Sequence, residues 1–200
     1  MLGIGIKRVY YKMIQEIFFA TSNTLKLEEA QKRIGDSILL KQIKLNIDEP
    51  QSLDQKYVCT YKVREAYKIL QAPVFCEDSG LYIKKFNNFP GVLTKFIVEG
   101  IGLEGIEKLI NEGEPAYYLD TIVFKDKNNE YTISTKQLGY LTIKNKSRKF
   151  DNNAVFDTLF VPEGFNITVN DMNKEEYSKM NDENGIFDEF RNFLNKQNAK

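Results

Sequence analysis

Glu77 and Asp78 stand side by side in the segment PVFCEDSG, directly after a short apolar run, and Glu49 lies at the end of another predicted strand. Carboxylates brought together from two such places could chelate one hard divalent ion. The chain contains no histidine, which removes Ser-His and Cys-His nucleophiles, imidazole general bases and the usual ligands of zinc, copper and iron. Any catalytic metal must then be held by oxygen, which favours magnesium or manganese, and such ions normally accompany phosphate substrates. The adjacent acids have a plainer reading too, as solvated turn residues. Strand alternation would send their side chains in opposite directions, with one of them in a cleft.

Two lysines are placed to meet phosphate. Thr21-Ser22-Asn23-Thr24-Leu25-Lys26 enters a predicted helix whose free amides and positive dipole end can receive anions, with Lys26 one turn inside. It is not a P-loop, since GxxxxGK[ST] occurs nowhere, and taken alone it reads as an ordinary capped helix. Lys62 is four residues from both Val58 and Ala66, on the apolar side of its helix. A charge there either snorkels or pairs with Glu65, or it reaches into a cleft to neutralise phosphate. Phe156-Asp157 could hold a nucleobase, the ring by stacking and the acid by accepting hydrogen bonds; simple packing is the other reading.

These residues need a mixed set of elements to position them. Glu16 to Thr21 reads as a buried strand and Thr24 to Ile34 as a helix. Ile38 to Asn46 is a second strand, and Ser52-Leu53-Asp54-Gln55 has a capping-box pattern for a helix reaching Gln71. Pro73 to Glu77 is a third strand, ended by a turn at Asp78-Ser79-Gly80 before Leu81 to Ile83 resumes an extended run. Leu103 to Ile110 form a small helix, Ala116 to Phe124 and Tyr131 to Thr135 a hairpin, and Gly139 to Ile143 and Thr158 to Val161 further strands. Asn173 with Glu176 caps another helix, and Ile186 to Leu194 carry the apolar stripe of the last.

With 200 residues, 42% of them hydrophobic and 28% charged, the chain suits one compact α/β domain, here 13–200, with 1–12 as an N-terminal extension of unknown order. Lys+Arg 28 balances Asp+Glu 28, so the positive field of nucleic-acid and acidic-membrane binders is missing, and neither partner is expected. No apolar run has the length of a membrane span. Cys59 and Cys76 are too far apart for a CxxC pair and too few for a disulfide scaffold, so buried thiols in a reducing cytoplasm are expected.

Three segments then occur in a telling order: FATSNTLKLEE at Phe19 to Glu29, EDSGLYIKKFNNFPG at Glu77 to Gly91, and FDTLFVPEGFNITVNDM at Phe156 to Met172. Together they resemble the inosine triphosphate pyrophosphatase family, whose members hydrolyse triphosphates of deaminated purines to the monophosphate and pyrophosphate. The resemblance implies an elongated mixed central β-sheet flanked by helices, two lobes with a cleft between them, dependence on magnesium and a homodimer. It places Thr21, Asn23 and Lys26 on a phosphate loop, makes Lys62 a phosphate-contacting lysine, and makes Glu49 a metal ligand. Asp78 becomes the acid that binds metal or activates water, and Ser79, Lys95, Phe156 and Asp157 become substrate contacts.

The chain departs from that family where the base is read. The aromatic-Gly-aromatic-Asp pattern is Ala154-Val155-Phe156-Asp157, the lysine of the following helix is Tyr177, and the terminal Ser-His-Arg is replaced around Asn181-Asp182-Glu183. Two donors that could select a purine carbonyl are gone. The expected activity is hydrolysis of inosine, deoxyinosine or xanthosine triphosphate. The alternatives are a pyrophosphatase of altered base selectivity and a catalytically silent nucleotide-binding module.

Overall fold

The computed structural model describes residues 16–144, 155–182 and 185–198. The expected extension at 1–12, Ala154 and Glu183 lie outside them. Strands β1 (Glu16–Ala20), β2 (Leu39–Ile43), β3 (Val74–Ile83), β4 (Phe89–Gly91), β5 (Glu114–Lys125), β6 (Glu130–Leu141) and β7 (Phe160–Pro162) form one mixed sheet. Its order is β2-β1-β3-β5-β6-β7, with β4 added to β3. β1 pairs in parallel with β2 and β3, and the remaining pairings are antiparallel. Five α-helices accompany it: α1 (Thr24–Ile34), α2 (Gln55–Leu70), α3 (Thr94–Leu109), α4 (Lys174–Asp182) and α5 (Ile186–Asn198). The mixed α/β expectation therefore holds.

Helix starts follow their capping chemistry. The Asn23 side chain accepts from the Lys26 amide at 3.1 Å, and Asn173 and Glu176 form the reciprocal box read from the sequence. At α2 the cap is Asp54, accepting from the Tyr57 amide at 3.1 Å, rather than Ser52. Gly102 takes φ +62 inside α3, a left-handed conformation that breaks the helix into two segments.

Two strand expectations are corrected. β3 runs unbroken through Asp78-Ser79-Gly80, because ten consecutive register pairs with β5 outweigh the local turn preference of those residues. β6 is likewise one strand rather than two pieces.

The β3–β5 register sorts side chains onto two faces. On one face Phe75, Phe124 and Ile122 pack with α1 and α5, while Leu81, Ile83, Ala116 and Tyr118 pack with α3 and the turn at Val155–Thr158. Between these apolar clusters, on that same face, come Glu77, Ser79 and Asp120. The polar gap is a cleft between two packed lobes. On the other face Val74, Cys76 and Val123 pack against Cys59, Val63 and Ala66 of α2.

Candidate functional site

β3 is paired with β1 only at Val74 and Phe75, and with β4 only from Leu81 onward. Glu77, Asp78 and Ser79 thus have β5 on one side and no paired strand on the other. Directly beyond the end of β1 comes the loop Thr21–Asn23, tightened by the Asn23 amide donating to Thr21 Oγ1 at 3.1 Å. An open stretch of strand edge lets side chains from both faces reach a common space, which a fully paired strand would not.

On the cleft face, Lys26 Nζ donates to Glu77 Oε2 at 2.6 Å, and only 4% of the Glu77 side chain is exposed. Burial would lower the Lys26 ammonium, but Glu77 beside it, with Asp120 and Asp78 behind, raises it above the ordinary lysine value. Lys26 remains charged and is held at the mouth of α1, where an anion would also be favoured by the helix dipole.

On the opposite face, Lys62 Nζ stands 3.0 Å from Glu49 Oε1. Burial opposes its charge, and Asp78 and Glu49 together raise its pKa well above the usual value. Glu65 pairs instead with Lys68 at 2.6 Å, so the pairing of Lys62 with Glu65 is not made. Burial pushes Asp78 up to about 6, with Lys62 pulling it down and Glu77 adding to the rise. Glu49 acts on the Lys62 ammonium through the ion pair, and Asp78 through its charge. Glu49 comes from the loop after β2 rather than from a strand end.

Asp78 is anchored through its backbone. Gln55, at the first position of α2 and only 2% exposed, donates through Nε2 to the carbonyls of Asp78 at 2.9 Å and Leu119 at 2.8 Å. It also reaches Thr121 Oγ1 at 3.3 Å and accepts from the Tyr82 hydroxyl at 2.8 Å. Gly80 completes the arrangement, since a Cβ there would fall 2.5 Å from the Gly91 carbonyl oxygen.

Further along the cleft face, Ser79 lies opposite Asp120 and hydrogen-bonds to it; burial nevertheless pushes Asp120 up to about 6. One step beyond, the Tyr118 hydroxyl donates to Asp157 Oδ1 at 2.8 Å. Burial raises both groups above their ordinary values. Tyr177 is 38% exposed; burial of its hydroxyl, with Glu29, Asp157 and Asp120 adding to it, raises that group, and it borders the same space.

Thr21, Asn23, Lys26, Glu49, Lys62, Asp78, Ser79 and Asp157 are therefore gathered around the open edge and the cleft. Two expected contacts are not. Lys95 is exposed, with Glu99 at 3.7 Å as an ion-pair partner, and among the described residues no hydrogen bond or ion pair ties it to Glu49, Glu77 or Asp78. Phe156 is 2% exposed and packed in the core with Leu81 and Phe160. Asp120, Tyr118 and Gln55 escaped the sequence reading. The one signal for Asp120 was an acid inside the alternating apolar face Ala116, Tyr118, Ile122, Phe124. Among the described residues no three acids or cysteines converge as a ready-made metal cage, and no helix is long and apolar enough to cross a membrane.

The solved structure of the Staphylococcus aureus Ham1 protein superposes with a TM-score of 0.76 over 91% of this chain and 99% of that one, at 19% identity, which shows a shared fold. The inosine triphosphate pyrophosphatase of Candida glabrata is 34% identical over 191 residues, covering 90% of this chain and 97% of that protein. The dITP/XTP pyrophosphatase of Thermococcus kodakarensis is 30% identical over 186 residues, 91% and 98% of the two chains. The model of the Ham1 family matches residues 17–193, nearly the whole described chain, and with the shared fold and these relatives it establishes that this protein belongs to the Ham1 family.

Proposed function

We propose that the chain is a magnesium-dependent pyrophosphohydrolase that cleaves inosine, deoxyinosine or xanthosine triphosphate to the monophosphate and pyrophosphate. The observation that carries this reading is the pair of lysines on either side of one open strand edge, Lys26 on Glu77 at 2.6 Å and Lys62 on Glu49 at 3.0 Å. Both cations can exchange a carboxylate for phosphate oxygens, and neutralising those oxygens is the main task in phosphoryl transfer.

Glu49 and Asp78 fit a magnesium ion: two hard oxygen donors around a space that already holds a cation, with the remaining ligands left to phosphate and water. Magnesium bound there supplies Lewis-acid charge on the transferring oxygens. Asp78, with a carboxyl near 6, is largely ionised at neutral pH and suited to take a proton from a water. That water's oxygen bonds the α-phosphorus as the bond to the bridging oxygen breaks, and pyrophosphate leaves with its charge on Lys26 and Lys62. The resemblance also carries a homodimer, and the free thiols of Cys59 and Cys76 suit a reducing cytoplasm.

Pyrophosphate release in magnesium, screened over inosine, xanthosine, guanosine, deoxyuridine and thymidine triphosphates, tests both reaction and base. Asp78→Asn should abolish release while the circular dichroism spectrum is retained; an undiminished rate removes Asp78 from its role. A second reading, altered base selectivity, is favoured by Tyr177, Tyr118 and Asp157 standing together at the base end, and the same screen would show it as a preference for another base. Tight triphosphate binding without release would instead mark a silent module.

A further inference from the structure

The open edge of β3 ends at Leu81, where β4 begins to pair with it. At that junction stands Thr94, the first residue of α3. Its hydroxyl accepts from the Leu81 amide at 2.9 Å and donates to the Gly91 carbonyl at 2.6 Å. A hydroxyl can do both at once, and here it joins main-chain groups of the two residues that open the β3–β4 pairing, Leu81 and Gly91. The residue before the helix, Leu93, makes no side-chain cap. The one hydroxyl at the start of α3 is therefore turned onto the sheet.

The Gly91 carbonyl that Thr94 holds also lies against Gly80. A Cβ at Gly80 would fall 2.5 Å from that oxygen and 3.0 Å from Gln55 Oε1. Gly80 is thus pinched between two groups, and each is tied to a neighbour on β3. Gln55 bonds the Asp78 carbonyl at 2.9 Å on one side of Gly80, and Thr94 bonds the Leu81 amide on the other. The stretch from Asp78 to Leu81 is fastened at both ends, and only Ser79 and Gly80 lie between. Losing the Thr94 hydroxyl would take a donor from the Gly91 carbonyl and an acceptor from the Leu81 amide, and release one of those ends.

We infer that Thr94 is a positioning residue, whose hydroxyl fixes where the β3 edge stops being open and so holds Asp78 at its working place beside that edge. The inference rests on the pyrophosphohydrolase reading. Thr94 acts through the backbone, while the cations that would take the phosphates, Lys26 and Lys62, stand on α1 and α2. Its removal should therefore lower turnover and spare binding.

The test measures kcat and KM for inosine triphosphate, by pyrophosphate release in magnesium, in the wild type, the near-isosteric Thr94→Val, Thr94→Ser and the control Thr142→Val. Thr142 likewise uses its hydroxyl twice, donating to Glu112 at 3.0 Å and accepting from the Lys144 amide at 3.2 Å, beyond the end of β6. Thr94→Val should lower kcat by roughly tenfold, the worth of about one hydrogen bond, with KM little changed. Thr94→Ser keeps the hydroxyl and should stay close to wild type, as should Thr142→Val. A kcat loss no larger in Thr94→Val than in Thr142→Val, a loss that Thr94→Ser does not rescue, or a change confined to KM overturns the assignment. Should the wild type release no pyrophosphate, the reaction itself fails. Amide hydrogen exchange over Glu77 to Gly80 then decides the positioning separately: it should quicken in Thr94→Val and not in Thr94→Ser, and equal rates in all three proteins would refute it.

Discussion

Gln55→Leu removes one buried carboxamide and leaves its volume nearly filled, so its effect isolates the hydrogen bonds around Asp78. Gln55 Nε2 serves two main-chain carbonyls on neighbouring strands at 2.9 and 2.8 Å, and Oε1 receives the Tyr82 hydroxyl at 2.8 Å. Tyr82 is 8% exposed, so its hydroxyl would be stranded, at about 1–3 kcal/mol. The two carbonyls lose about 1 kcal/mol each, while the apolar replacement returns about 1–2 kcal/mol through burial. A net loss of about 2–3 kcal/mol is expected, read by urea denaturation as a midpoint lowered by about 1 M at unchanged slope. Because the anchor holds the Asp78 backbone and touches no lysine, kcat should fall while KM for the triphosphate changes little. A stability loss below about 0.5 kcal/mol, or a change confined to KM, would refute the claim that Gln55 positions Asp78.

Two further outcomes follow from the charges. Lys26→Met strands Glu77, whose side chain is 4% exposed, whereas Lys26 itself keeps 35% in water; a loss of about 2–3 kcal/mol in denaturation and a raised KM are expected, at the low end for a broken buried pair. In EDTA-treated protein, Asp120 binds its proton more tightly folded, with a pKa near 6, than unfolded, near the ordinary value of about 3.9. Over that interval the native state holds more protons, so stability falls as pH rises from about 4 to 6 and is level above it, by up to about 3 kcal/mol. Asp78 adds a slope of the same sign, and Asp120→Asn should make the pH dependence shallower, as measured by urea midpoints at pH 4.5 and 7.

The local signals in the chain were those that act within a few residues. Asn23 and Asn173 cap the helices that their types and spacing announce. The stripe Ile186, Phe187, Phe190 and Leu194 does bury against β3 and β5, where Phe190 meets Phe75 at 4.8 Å. What stayed hidden depends on partners distant in sequence. Asp78-Ser79-Gly80 has turn composition, and only the long ladder to β5 makes it strand. Lys62 had Glu65 within helical reach, yet Glu49, from a different loop, took it. Asp120 is a lone acid in an apolar run, and its meaning depends on Ser79 and Thr135 facing it from the strands on either side.

Adjacent acids on a strand point to opposite faces, which would ordinarily divide Glu77 and Asp78 between two unrelated environments. Here the division is useful because the strand edge beside them is open. Glu77 holds Lys26 on the cleft side and Asp78 faces Lys62 and Glu49 on the other, while Lys26 also feels Asp78 across the edge. On the proposed reading, a polyphosphate lying over that edge would meet both cations at once, with Glu49 and Asp78 on one flank and the cleft on the other. Capping the edge tests this geometry directly. A strand-extending substitution cannot be designed into Thr21–Asn23 without disturbing the α1 cap, but a cysteine pair at Ser22 and Ser79 leaves Asn23 in place and can be joined by bifunctional thiol reagents of increasing length, with the unlinked pair as the control. Cross-linking should abolish triphosphate binding while the fold, read by circular dichroism, is kept. Full binding in the cross-linked protein would show that the phosphates lie elsewhere.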